Sequence, residues 1–249
     1  MKTYGLIGYR LGYSFSKGFF TEKFEKENLK EHEYVNFELD KIDEFPSIFE
    51  KNDHIGGLNC TIPYKQQLIP FMDEIDAEAA KVGAINTVKI IHSETGTKLK
   101  GFNTDIYGFE NSLKPMLGEK HKKALILGTG GASKAIKYIL EKLGLSYVSA
   151  TIEDEVKADE VRYEQIDEAL LQECLVVINA TPLGTSPNID TCPNIPYEFL
   201  TPDHVLFDLV YNPEETLFMK KGKAQGATVK NGLEMLHLQA IKSWEIWNS

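Results

Sequence analysis

Apolar residues recur along this chain at two spacings, every second position and every third or fourth, and segments of the two kinds alternate. TYGLIG at 3–8 is a short apolar run closing on a glycine and predicts a strand. Phe19, Phe20, Phe24 and Leu29 then recur at helical spacing behind Ser16, which is the predicted N-cap. A strand is expected at 34–39, a helix around 42–49, a strand at 57–61 and a helix over 77–82. AINTVKII, a turn at SETG and TKLKGF predict a hairpin. Strands separated by helices imply a mostly parallel sheet with an antiparallel edge.

Near residue 120 the pattern restarts. After a predicted helix over 104–117, the run from Lys122 to Gly128 is a buried strand entering a glycine-rich turn, and 132–143 is helical. Further strands are predicted at 147–150, 175–180, 205–210 and 227–229, separated by loop or helical sequence. This half reads as its own doubly wound α/β unit. In the last segment Leu233, Leu236, Ile241, Trp244 and Trp247 stand at helical intervals, on a helix able to pack on either half.

Composition changes this picture by exclusion. With 249 residues, 42% hydrophobic and 26% charged, the chain has room for one large or two modest globular domains. No apolar run approaches the roughly 20 residues needed to cross a bilayer, and Arg10 arrives too early for a signal-peptide core, so a cytoplasmic protein away from membranes is expected. Cys60, Cys174 and Cys192 form no CxxC pair, and the six histidines lack ligand spacing, so no metal site is expected. A net charge of −10 argues against nucleic acid. It also requires that any anionic ligand be captured by locally placed donors.

GTGGAS at 128–133 follows a strand and opens a helix, the context in which backbone N–H groups and the positive helix end face a phosphate. A dinucleotide site is predicted there. An acidic residue after the next strand suits a free ribose 2′-hydroxyl, whereas a basic one suits a 2′-phosphate. The strand ends Ser149-Ala150-Thr151-Ile152-Glu153-Asp154-Glu155, with no arginine before Arg162, which on physical grounds favours NAD.

Eight separated motifs then carry a resemblance: GYSFS at 12–16, NCTIPYK at 59–65, GAINT at 83–87, GFNTD at 101–105, GTGGAS, NATPLG at 179–184, DLVYNP at 208–213 and NGLEMLHLQA at 231–240. In this order the chain resembles the shikimate dehydrogenase family along essentially its full length. The resemblance implies an N-terminal α/β substrate domain, 1–103 with the last helix 233–249 packing back, and a C-terminal Rossmann-like dinucleotide-binding domain, 104–232, with the reaction in the cleft between them. The implied reaction is reversible nicotinamide-dependent reduction of 3-dehydroshikimate to shikimate, in aromatic amino-acid biosynthesis. It needs a polar group within hydrogen-bond reach of the oxygen that gains or loses a proton.

Lys65 and Asp105 match the family's catalytic pair, with Lys65 as proton relay and Asp105 positioning it and holding a substrate hydroxyl. Ser14 and Ser16 match the hydroxyls that hold the substrate carboxylate. Thr61, Asn86, Tyr211 and Gln239 match the remaining substrate contacts, and Asn59 is expected to brace the loop. For the cofactor, Gly128, Gly130, Gly131, Ala132 and Ser133 match the phosphate turn, Thr181 the loop after NA, and Leu209 and Gly232 the nicotinamide contacts. Cys60 stands where a small aliphatic would serve, and packing is its expected role.

The chain departs from the family at the 2′-phosphate. The signature Asn-Arg-Thr should fall near 149–151, and only Thr151 is present. NADP is nonetheless the expected cofactor, with Lys134 or Lys157 as substitute cations and NAD as the alternative. A small-molecule substrate and a monomer or homodimer complete the expectation. Alternative readings are a quinate/shikimate dehydrogenase and a non-catalytic metabolite- or nucleotide-binding regulator.

Overall fold

The computed structural model describes residues 1–12, 14–52, 54–93 and 96–249. Tyr13 of the GYSFS motif and Glu94 and Thr95 of the expected hairpin turn lie outside the described residues. The chain divides into two compact units, Met1–Tyr107 with His237–Ser249, and Gly108–Leu236. Among the described residues no helix is long and apolar enough to cross a membrane.

In the first unit the order is β1 (Lys2–Gly8), α1 (Phe15–Lys26), β2 (His32–Glu38), α2 (Ser47–Lys51), β3 (Ile55–Cys60), β4 (Glu74–Ile75), α3 (Ala77–Val82), β5 (Thr87–Ser93) and β6 (Gly96–Phe102), and α4 (Thr104–Leu113) begins there and ends in the second unit. The six strands of the first unit run β2-β1-β3-β5-β6-β4. β1 pairs parallel with both β2 and β3, and β5 pairs antiparallel with β3 and β6. The antiparallel hairpin predicted for the edge therefore lies inside the sheet, and the short β4 beyond it is parallel to β6.

Two sequence expectations fail at prolines. The helix expected at 42–49 is a 3-10 turn, Ile42–Glu44, followed by α2, because Pro46 offers no N–H to continue the ladder. The helix expected over 104–117 stops at Leu113 and tightens into a 3-10 turn containing Pro115, for the same reason. A third expectation fails at a cap. Helix α1 begins at Phe15 and is capped by Ser14, in extended backbone with its Oγ accepting the Lys17 N–H at 3.1 Å, so Ser16 lies inside the first turn.

Alternation along β1 separates the core into two clusters. Tyr4 and Leu6 pack with Phe20 and Phe24 of α1 and with Ala240 and Trp247 of the last helix, α8 (Leu233–Asn248). Ile7 packs with Leu58, Phe45, Ile48 and Leu68. Gly57 lets α8 approach: a Cβ there would lie 2.3 Å from the Trp247 ring, whose Nε1 donates to Val88 O at 3.1 Å.

The second unit contains β7 (Lys123–Leu127), α5 (Gly131–Lys142), β8 (Ser146–Thr151), β9 (Glu160–Arg162), α6 (Glu168–Glu173), β10 (Val176–Asn179), β11 (Val205–Asp208), α7 (Leu217–Ala224) and β12 (Thr228–Lys230). All pairs are parallel, in the order β12-β11-β10-β7-β8-β9. This is the strand order of a Rossmann-like fold, reversing between β7 and β10. Its central strands are buried on both faces, hence the continuous apolar runs of β7, β10 and β11. Leu125, Leu127, Val177 and Leu206 pack with Leu171 of α6 and Phe218 of α7.

Because the Gly57 site is filled by an indole rather than by movable solvent, Gly57→Ala should lower stability by about 1–3 kcal/mol in urea denaturation. A midpoint unchanged from wild type would show that α8 does not depend on this close approach.

Candidate active site

The turn after β3 is held from below by buried side chains. Tyr64 donates its hydroxyl to Leu39 O at 2.7 Å, Leu68 is fully buried, and Lys65 O accepts the Ile85 N–H at 2.7 Å. Lys65 is thereby fixed at its backbone while its side chain stays partly exposed. Asp105 lies in the first turn of α4, whose start is held by Asn103: its Nδ2 donates to Ala84 O at 3.0 Å and its Oδ1 accepts the Ile106 N–H at 3.4 Å. Lys65 Nζ donates to Asp105 Oδ2 at 2.6 Å, with 29% and 15% of the two side chains exposed. One ammonium proton is engaged and two point elsewhere, the state of a group that can still serve a ligand oxygen.

Behind this pair lies a buried polar hub. The hydroxyl oxygens of Thr87, Thr104 and Ser243 are 2.9, 3.2 and 3.3 Å from one another. Asn59 Nδ2 donates to Ser243 Oγ at 2.9 Å and Thr87 Oγ1 at 3.1 Å, while its Oδ1 accepts the Tyr34 hydroxyl at 2.9 Å. Burial pushes the Tyr34 phenol well above its ordinary value, so it remains a donor. Asn86 Oδ1 accepts the Thr104 N–H at 2.7 Å and the Thr87 hydroxyl at 3.0 Å, which orients its amide so that Nδ2 donates to Gln239 Oε1 at 3.3 Å. Gln239 therefore spends its carbonyl on Asn86 and keeps its NH₂ for other partners.

Of the remaining predicted substrate residues, Ser14 uses a lone pair for its cap and retains its hydroxyl proton. Ser16 lies against the Tyr34 phenol. Thr61 follows β3, its N–H bonded to Ile7 O at 2.9 Å, and is half-buried. Tyr211 belongs to the second unit, half-buried after β11. Cys60 is buried and its thiol is pushed up to about 12 by that burial, so it is a protonated packing group.

In the second unit the glycine turn borders a cavity of about 670 Å³. Gly128 has φ +100°, and a Cβ there would meet Thr181 Cγ2 at 2.9 Å. Around Gly130 and Gly131 a Cβ would meet nothing within 4 Å, so the helix N-terminus is open to a ligand. Gly128, Gly130 and Thr181 line the cavity, together with Ala150, Thr151, Ile152, Glu153 and Arg162. These residues fit a dinucleotide. Ser133 behaves differently: its N–H and its hydroxyl both donate to Gly130 O, at 3.0 and 2.6 Å, so its side chain braces the turn.

Asp208, at the end of β11, is fully buried and gathers three donors: the Val210 N–H at 3.0 Å, Asn179 Nδ2 at 2.9 Å and the Thr216 hydroxyl at 2.6 Å. Asn179 Oδ1 in turn accepts the hydroxyl and N–H of Thr181, at 2.6 and 3.0 Å. One carboxylate thus organises the loops carrying Thr181 and Leu209. Burial pushes it up to about 6, against the pull of its hydrogen bonds. Gly232 packs on this loop, since a Cβ would lie 2.3 Å from Leu209 O.

The family model described as the shikimate dehydrogenase substrate binding domain matches residues 6–88. A relative from Desulforamulus reducens named shikimate dehydrogenase (NADP(+)) is 34% identical, over 98% of this chain and 88% of its own length. The chain belongs to the shikimate dehydrogenase family. The crystal structure of shikimate dehydrogenase from Aquifex aeolicus superposes with a TM-score of 0.84 at 33% identity, covering 99% of this chain and 92% of that one. Shikimate 5-dehydrogenase from Listeria monocytogenes, in complex with shikimate and NAD, gives 0.85 at 26% identity, covering 99% and 91%.

For a shikimate dehydrogenase, the residues that sequence reasoning passed over are the supporting ones. Ser243 stands four positions after Gln239, on the same helical face, a spacing that was available as a signal. Asp208 and Asn179 sit inside recognised motifs, yet nothing local shows that they bond one another. Arg162 is the first arginine after β8 in the sequence, but the three-residue β9 that sets it beside Thr151 was not expected.

Ser243→Ala would leave Asn59, Thr87 and Thr104 short of a partner in a dry site, and should cost about 1–3 kcal/mol in chemical denaturation. A wild-type midpoint would show that the hub is not one unit. For Asp208, a folded value of about 6 against an unfolded value near 4 means that folding favours the protonated form. That contribution is full below about pH 4 and is lost as pH rises through about 6, so wild type should lose up to about 3 kcal/mol relative to Asp208→Asn between those limits. Urea midpoints of both proteins at intervals from pH 4 to 7 measure it, and a difference independent of pH would contradict the assignment.

Proposed function

We propose that the Lys65–Asp105 pair is the proton relay of a reversible, NADP-dependent reduction of 3-dehydroshikimate to shikimate, a step in aromatic amino-acid biosynthesis. The observation that carries this reading is the 2.6 Å contact between a partly exposed ammonium and a carboxylate, backed by the hub that sets both elements. Bound NADP(H) supplies or removes the hydride at the ring carbon. Lys65 donates a proton to the carbonyl oxygen on reduction and receives it on oxidation, while Asp105 holds the amine in line and accepts a neighbouring hydroxyl.

The other residues supply recognition. Ser14 and Ser16 offer hydroxyls to the substrate carboxylate, a neutral way of binding an anion. Thr61, Asn86, Tyr211 and Gln239 are the proposed contacts of the ring hydroxyls, with the Gln239 NH₂ as donor. Gly128, Gly130, Gly131, Ala132 and Thr181 form the phosphate cradle, with Ser133 stabilising the turn, and Leu209 and Gly232 border the nicotinamide. A cytoplasmic monomer or homodimer, with a small-molecule substrate and without nucleic acid, accompanies the reading.

Lys65→Ala should bind shikimate within a few-fold of wild type by calorimetry and lose about 10²- to 10⁴-fold in turnover. Turnover equal to wild type would remove Lys65 from the chemistry.

A further inference from the structure

A 2′-phosphate brings close to two negative charges to the adenosine end of its cavity, in a chain whose net charge is already −10. Glu153 and Glu164 line that cavity as well. A preference for the phosphorylated nucleotide therefore requires a cation inside the cavity wall. Neither lysine considered from the sequence is there: Lys134 is exposed on α5, and Lys157, 72% exposed, has its Nζ 3.6 Å from Glu160 Oε1. Neither lines the cavity.

Arg162 does, and among the described lining residues it is the one cation. It enters from β9, in register with Thr151 of β8, so the two side chains leave the sheet on the same face. Thr151 Oγ1 closes the following turn by accepting the Glu153 N–H at 3.1 Å, and Arg162 Nη2 donates to Asp154 O of that turn at 2.7 Å. The guanidinium is thus tied to a neutral carbonyl, makes no ion pair with the described carboxylates, and keeps further N–H donors for an anion. Exposed apolar Ile152 and Leu183 line the same cavity, giving a base a surface to rest on.

We infer that Arg162, carried by the strand neighbouring β8, is the residue that selects the adenosine 2′-phosphate in this chain. The inference rests on the NADP reading above. It moves the selecting cation from the end of β8 to the edge strand.

The test uses adenosine 2′,5′-bisphosphate and adenosine 5′-monophosphate as probes, titrated calorimetrically into wild type, Arg162→Gln and Arg162→Lys. Wild type should prefer the bisphosphate, and Arg162→Gln should weaken it by about 10- to 100-fold, the scale of a charge-assisted hydrogen bond, with monophosphate affinity held within about twofold. Arg162→Lys should keep a preference of intermediate size, because it restores charge without the fork. Wild type with no preference would defeat the NADP reading and the inference with it. A wild-type preference that persists undiminished in Arg162→Gln would defeat the inference alone, as would equal weakening of both probes.

Discussion

Three hydroxyls that have no access to water, those of Thr87, Thr104 and Ser243, must find every partner inside the protein, and they find them in one another, in the amides of Asn59 and Asn86 and in the Gln239 carbonyl. That constraint allows few arrangements of the three elements that bear them, the start of β5, the start of α4 and the middle of α8. Each is next to a proposed working residue. Asn86 precedes Thr87, Asp105 follows Thr104, and Gln239 is one helical turn before Ser243 and accepts its hydroxyl on its own carbonyl at 3.0 Å. Satisfying the hub therefore sets the positions of the residues proposed to contact substrate.

The second unit answers the same need with a charge. Asp208 is buried at the carboxyl end of β11, and its three donors come from β10, from the loop after β11 and from the cap of α7. Ligands of doubly wound sheets bind beyond the carboxyl ends of the strands where the order reverses, so loops there must be held without filling the space in front of them. A buried carboxylate does this from behind. The open glycine turn, whose Cβ positions at Gly130 and Gly131 meet nothing, leaves the N–H groups at the start of α5 uncovered.

In the function proposed above, both units handle anionic ligands against an adverse overall charge by local means. Hydroxyls serve the substrate carboxylate, orphan helix N–H groups serve the pyrophosphate, and a guanidinium on an edge strand serves the 2′-phosphate in the reading given above. None of these depends on the long-range field, which at physiological ionic strength is largely screened beyond about 8 Å.

Periodicity and turn chemistry were enough to place α3 between Asp76 and Gly83, α5 behind its glycine turn, and the buried strands β7, β10 and β11. The separated motifs were enough to identify the family, since eight of them in one order along one chain do not recur by accident. Where local signals competed, the sequence misled: Ser14 and Ser16 are both good caps, and only the path of the backbone into α1 selected Ser14. Long-range partnerships left no local mark at all. Asn59 and Ser243 are 184 positions apart, and the meeting of Arg162 with the turn after Thr151 depends on a three-residue strand too short to show a period. Residue types and local periods determined which groups this chain carries and how each segment folds. The pairing of strands and the packing of α8 decided which of them meet, because a hydrogen bond between distant segments exists only once burial has brought both to the same dry place.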